Sequence, residues 1–202
     1  MKTIVLMLVA AGVLAADPRI VFTKNFPGST PAYVQIIVER TGGAIYKDDP
    51  NDERPLEFKL SEADTSAVFA LADRLGHFGR PLESGLKVAF MGTKTFRYGG
   101  DGEPKEAKFN YSDDLEAKTL LDWFERIGET ERALIDLERA VRFDKLGVND
   151  SILRIEAARD QKRLVAEEQF LPMLDRVVKS EAYMHMARVR AEAIAISIRA
   201  AK

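Results

Sequence analysis

From residue 17 onward, apolar and polar positions recur with two different periods, and the change of period divides the chain. The early period is two. "RIVFTKNF" (residues 19–26) opens as a strand and "FPGSTP" makes a turn. In "AYVQIIVERTGGAIYKD", Tyr33, Gln35, Ile37 and Glu39 alternate with Val34, Ile36 and Val38. Gly42 and Gly43 supply the positive φ angles of a tight return, so this stretch predicts a hairpin. After the polar loop "DDPNDERP", the segment "LEFKL" places Leu56, Phe58 and Leu60 on one face. Ser61 follows as an N-cap, with Asp64 at capping-box distance. Val68, Leu71, Ala72 and Leu75 then form a stripe at helical spacing, ended by Gly76.

The next fifty or so residues replay this order. "LKVAFMG" and "TKTFRYGG" predict a second hairpin, "GDGEPKE" a polar loop, and "AKFNY" a strand with Ala107, Phe109 and Tyr111 alternating. Ser112 is in the capping position, the stripe of the next helix is Ala117, Leu120, Leu121 and Phe124, and Gly128 is its expected end. Ser61 and Ser112 stand 51 positions apart. The expectation is an α+β fold: an antiparallel sheet from two β-β-β-α meander units, helices on one face, then a C-terminal three-helix region.

Beyond Gly128 the composition changes: glycine appears once, at Gly147, and proline once, at Pro172. Leu134, Leu137 and Val141 make the stripe of a helix capped by Thr130. A second helix, capped by Asn149 or Asp150, starts with Ile152 and Ile155 and runs through "RDQKR" to Pro172, which should kink or break it. Phe170, Leu174 and Val177 renew the stripe. In the tail, Glu181, His185, Arg188, Glu192, Arg199 and Lys202 form a wet line. Ala182, Met186, Val189, Ala193 and Ile196 fall on a second line. Met184, Ala187, Ala191, Ile194 and Ile198 make a third, at heptad spacing. The favoured reading is an intramolecular bundle with residues 130–178, and any surplus of this wide arc would make a dimer seam or a face for a protein partner. Arg190, on the apolar side, either snorkels, pairs with Glu167 or Glu168, or marks that interface. Charges every few residues exclude a transmembrane span here.

The first sixteen residues belong to a different class of segment. Lys2 precedes an almost unbroken apolar run from Thr3 to Leu14, too short to span about 30 Å of hydrocarbon. Small residues at Val13-Leu14-Ala15-Ala16 offer a cleavage site after Ala15 or Ala16, and Asp17-Pro18 follows. The expected layout is a signal peptide over 1–16, an α+β domain over 17–128 and a helical region over 129–202, in a periplasmic or secreted protein. Cleavage removes Lys2 and no acid, so net charge moves from −2 to −3. Without a Lys/Arg field, nucleic acid is a poor candidate partner. With no cysteine there is no disulfide, and with two histidines, His77 and His185, a Cys/His zinc site is nearly excluded.

Candidate chemistry is sparse. "KDDPNDE" gathers Asp48, Asp49, Asp52 and Glu53, but counting from Asp48 or Asp49 puts neither glycine at loop position six nor glutamate at twelve, so it reads as a solvated hairpin tip and no metal or other cofactor is expected. "GGDGEP" leads into a strand rather than a helix and lacks the N-terminus that binds phosphate. His77 can bond free carbonyls at a helix end.

Residues 26–46, with Gly28, Pro31, Tyr33, Gly43 and Tyr46, resemble the opening of a family of small exported bacterial domains of unknown function. That family begins Cys-x-Gly-x-Cys-Pro-x-Tyr; here Phe26 and Thr30 stand where the cysteines would be. The resemblance implies an exported α+β domain and no assigned activity. The residues themselves favour a non-catalytic binding protein that uses the open sheet face or the last helix. The alternatives are an envelope-associated hydrolase using His77 with a carboxylate, and an inhibitor of an exported enzyme that docks through its broad sheet.

Overall fold

The structure, a computed structural model, describes residues 17–100 and 103–201; the expected signal peptide and Lys202 lie outside them. Six strands form one antiparallel sheet: β1 (Arg19–Asn25), β2 (Tyr33–Glu39), β3 (Gly43–Lys47), β4 (Leu56–Lys59), β5 (Thr93–Gly99) and β6 (Lys105–Phe109), in the order β4-β3-β2-β1-β5-β6. The first strand in sequence is therefore central, with Phe22 opposite Ile36 on one side and Phe96 on the other. Alternation decides the faces. Ile20, Phe22, Ile36, Val38, Ala44, Tyr46, Phe96, Ala107 and Phe109 are buried, while Val21, Ile37 and Ile45 on the opposite face stay partly exposed.

Helices cover the buried face. In α1 (Glu62–Arg74), the Ser61 hydroxyl accepts from the Asp64 N–H at 3.1 Å, and Val68, Leu71 and Ala72 are buried. Gly76, at φ 63°, ends it and leads into a short 3-10 turn over Gly76–Phe78. The fold class is the α+β arrangement read from the pattern. Two details differ. Residues 86–92 form no strand, so β5 pairs with β1 and β6, and the second unit supplies two strands rather than three. The helix after β6 is capped by Asp114, whose Oδ1 accepts from Glu116 and Ala117; Ser112 instead accepts the Asp114 N–H.

That helix, α2 (Leu115–Phe143), does not stop at Gly128. The helix passes over Ile36 and Tyr46 of the sheet here, and a Cβ at Gly128 would stand in ordinary contact, 4.0 Å, with both. The burial of Phe124, Ile127, Leu134 and Leu137 on either side outweighs the ~1 kcal/mol that an interior glycine costs. Thr130 caps nothing: its hydroxyl donates back to the Arg126 carbonyl. The one helix thus serves two apolar cores, with Ala117, Leu120, Phe124 and Ile127 in the first and Leu134, Leu137, Ala140 and Val141 in the second.

The second core is closed by α3 (Val148–Asp160), α4 (Leu171–Lys179) and α5 (His185–Ala200). α3 ends well before Pro172. Lys162 turns left-handed at φ 57°, and the Arg163 and Lys162 N–H groups bond the Ala158 and Arg159 carbonyls, a Schellman closure. Pro172 sits in the first turn of α4, where its missing N–H leaves no helical bond unmade.

The segment between α3 and α4 locks the two cores together. Leu164 enters the second core and Val165 the first. Between them and α2 runs a polar seam. The Val165 N–H donates to Thr130 Oγ1 at 3.1 Å, and Gln169 Nε2 donates to Glu131 Oε1 at 2.8 Å. Arg163 pairs bidentately with Glu129 and also with Asp122. Glu131 is fully buried and its Oε2 has no partner, so burial raises its pKa to about 7, with the Gln169 amide opposing the rise. A carboxyl whose folded pKa is raised stabilises the fold below the unfolded value, 4.5, and that stability is lost as pH climbs through about 7. Thermal melts from pH 4 to 8 should therefore show Glu131→Gln flattening a pH-dependent loss worth roughly 3 kcal/mol in the native chain. Parallel curves for the two proteins would place the titration elsewhere.

Candidate functional site

Between the 3-10 turn and β5, residues 81–92 run without helix, strand, turn or bend. Leu82 anchors the start of this segment in the first core. Residues 85–91 are all exposed, and among them Leu86 and Phe90 are each 57% exposed, Met91 47% and Val88 41%. Each such side chain forgoes roughly half of the ~1.5–3 kcal/mol that full burial would contribute. The alternation that predicts a strand here is real, but β1 already occupies the side of β5 where this strand would have paired.

What holds the loop is polar. Lys94 stands on the buried face of β5, opposite Phe109, and is 3% exposed. Its ammonium donates to the carbonyls of Asn110 at 2.7 Å and of Met91 and Gly92 at 3.3 Å each. Burial, then the neighbouring Lys24 charge, pulls its pKa below the ordinary lysine value. Asn110, just past β6, makes the second tie: Oδ1 accepts the Met91 N–H at 2.8 Å and Nδ2 donates to the Ala89 carbonyl at 3.0 Å. Its own N–H donates to Glu83 Oε2 at 2.6 Å, and the Ser84 N–H reaches the Tyr111 carbonyl at 2.8 Å. Backbone donors, Asn110 first, hold the Glu83 carboxyl below its ordinary pKa, so this tie is present above the usual carboxylate range and slackens as pH falls. Gly92, at φ 88°, closes the loop; a Cβ there would stand 2.7 Å from Phe26 Cβ and 3.0 Å from the Asn25 carbonyl oxygen. Phe26 meets Phe90 edge-on at 5.9 Å.

The last helix is largely committed to its own chain. Ala187, Ala191, Ile194 and Ile198 are buried in the second core. Arg190 donates through Nη1 to Glu156 Oε2 at 2.9 Å, and Glu167 is held by Arg159. Met184 lies just before α5 and is 45% exposed. The uncovered apolar line is the other one: Met186, Val189 and Ile196.

His77 does meet a carboxylate, Asp73 Oδ1, at 2.9 Å, and its ring stacks on Tyr98 at 4.1 Å. Both partners are at the surface. The adjoining cleft of about 160 Å³ is walled by Arg40, Thr65, Ser66, Phe69, Ala70 and Asp73, without His77. Ser66 stands seven positions before Asp73 on α1, ~10 Å along the axis and out of reach for proton exchange. His185 opens α5 and is exposed. At the acidic tip, Asp49 and Asp52 accept the N–H groups of Asn51 and Arg54, and among the described residues no three His, Asp or Glu side chains gather as a cation site.

The chain matches no protein-family model and no curated protein, so the likeness carried by residues 26–46 goes no further than the residues themselves. Lys94 is the signal that sequence reasoning passes over: in "TKTFRYG" a lysine shares the core face with Phe96 and Tyr98. Lys94→Met should cost about 2–3 kcal/mol by leaving three carbonyls uncapped, and Asn110→Ala about 1–2 kcal/mol. Both should speed amide exchange at Met91. Unchanged exchange in both variants would show that the loop is held by other contacts.

Proposed function

We propose that this is an exported, non-catalytic binding protein whose contact element is the loop over residues 85–91. The observation that carries the reading is the pairing of exposure with restraint. Four large apolar side chains project into water from a backbone fixed by Lys94, Asn110 and Glu83. A loose loop would lose conformational entropy on docking, whereas a braced one has already lost it. The open sheet face, with Val21, Ile37 and Ile45 in one cross-strand row, supports the same class of function and offers a flatter, more polar surface. No helix among the described residues is long and apolar enough to cross a membrane.

Export is the part of the reading carried by residues 1–16. Expressed with its native start in a Gram-negative host, the protein should be recovered from the periplasm beginning at Ala16 or Asp17. Recovery from cytosol beginning at Met1 would contradict it. For the contact element, wild type and a Leu86→Ser/Val88→Ser/Phe90→Ser variant are used as baits against extract of the native compartment. A partner identified by mass spectrometry should lose at least about tenfold in affinity for the variant, as hot-spot loss predicts. Equal affinity, with matching melting curves, would move the contact off the loop.

A further inference from the structure

We propose that residues 88–91 are an inhibitory strand for the substrate cleft of a serine endopeptidase with an apolar specificity pocket, and that Phe90 is the side chain entering that pocket. This rests on the loop being the contact element and names its partner. Such clefts take a peptide as a straight strand, hydrogen-bond its main chain, and select it by one or two side chains in pockets. The segment meets each requirement. It carries no assigned bend and no positive φ between left-handed Gly85 and Gly92; the Val88 N–H donates back to the Leu86 carbonyl at 3.0 Å, so the strand offered to the cleft runs from Val88 to Met91. Asn110 grips the Ala89 carbonyl on one side of Phe90 and the Met91 N–H on the other. Among the described residues the N–H and carbonyl of Phe90 itself have no partner, so both are open to an incoming main chain. The Phe90 ring is more than half exposed and meets Phe26 edge-on.

The bracing also accounts for inhibition rather than digestion. The enzyme's serine oxygen would bond to the Phe90 carbonyl carbon as the Phe90–Met91 C–N bond breaks, and the serine proton would pass through the enzyme's base to the Met91 nitrogen. In an ordinary substrate the amine then diffuses away and water enters. Here Met91 stays tethered: Asn110 Oδ1 holds its nitrogen, Lys94 holds its carbonyl, and β5 follows directly. On the other side Asn110 Nδ2 holds Ala89, and Glu83 is tied back to β6. The amine therefore remains beside the acyl carbon at high effective concentration, and re-forming the peptide bond competes with hydrolysis.

The test uses the full mature chain with chymotrypsin and subtilisin as probes, a chromogenic peptide as reporter, and mass spectrometry of the cut chain. The expected result is competitive inhibition at about equimolar stoichiometry, with Phe90→Gly weakening it by about 100-fold. Because Phe90 is exposed, that variant tests contact without disturbing the fold. Asn110→Ala should turn the protein from inhibitor into substrate, cut between Phe90 and Met91 and released. Two outcomes overturn the proposal: no inhibition of either enzyme at about 100 μM, or cleavage of the wild-type loop as fast as of a free peptide of residues 83–93. Phe90-dependent binding to phospholipid vesicles without inhibition overturns it too. If a captured partner depends on the loop while neither protease is inhibited, the partner class is wrong and the contact element stands. If capture is indifferent to the loop, both fall.

Discussion

One buried hydrogen bond, from the Val165 N–H to the Thr130 hydroxyl, sits where two cores have to agree. The sheet domain and the helical region share α2, but a shared helix alone would leave the far side of the second core free to pivot. Residues 163–169 remove that freedom, because consecutive residues Leu164 and Val165 belong to different cores. Their backbone must cross an apolar boundary, where an unmade bond costs about 1–3 kcal/mol. Thr130 meets that need for the Val165 N–H and Arg126, at 3.5 Å, for the Leu164 carbonyl. The seam is polar because the chain there is irregular, and irregular backbone inside a protein has to find donors and acceptors somewhere.

The loop over residues 85–91 obeys the same rule with the signs reversed. Its apolar side chains face out, so the backbone behind them has to be satisfied from within. A lysine ammonium in a nearly closed site does so, supplying three donors to three carbonyls. Burying that charge opposes folding, as the depressed pKa shows, and it is offset only while all three acceptors are in place. The arrangement is all-or-none in character: either the loop is seated on Lys94 or the cation must find water.

Much of the architecture could be read from periodicity, because burial follows it. The stripes of α1, of both halves of α2, of α3 and of α4 are the residues that line the two cores. Errors arose where a local signal had to be weighed against a distant partner. Residues 86–92 alternate like a strand, yet strand formation needs a neighbour, and β1 occupied it from some seventy positions upstream. Gly128 looks like a stop until Ile36 and Tyr46 are seen beneath it, and Pro172 looks like a break until the helix is found to begin there. In the tail, only the line through Ala187, Ala191, Ile194 and Ile198 is dry, the apolar line through Met186, Val189 and Ile196 stays in water, and Glu156, the partner of Arg190, lies on another helix at a distance no spacing rule reveals. The braced loop was least legible, since its supports come from Glu83, Lys94 and Asn110, joined only by the fold.

The central place of β1 has a kinetic corollary. Its two flanking strands come from opposite directions in time: β2 follows at once, whereas β5 is complete only at Gly99. Until then half of the β1 edge is bare, and the sheet nucleus demands a long-range closure of the sort that makes folding slow. A chain with this layout cannot close its sheet around β1 until residues 93–99 have joined it.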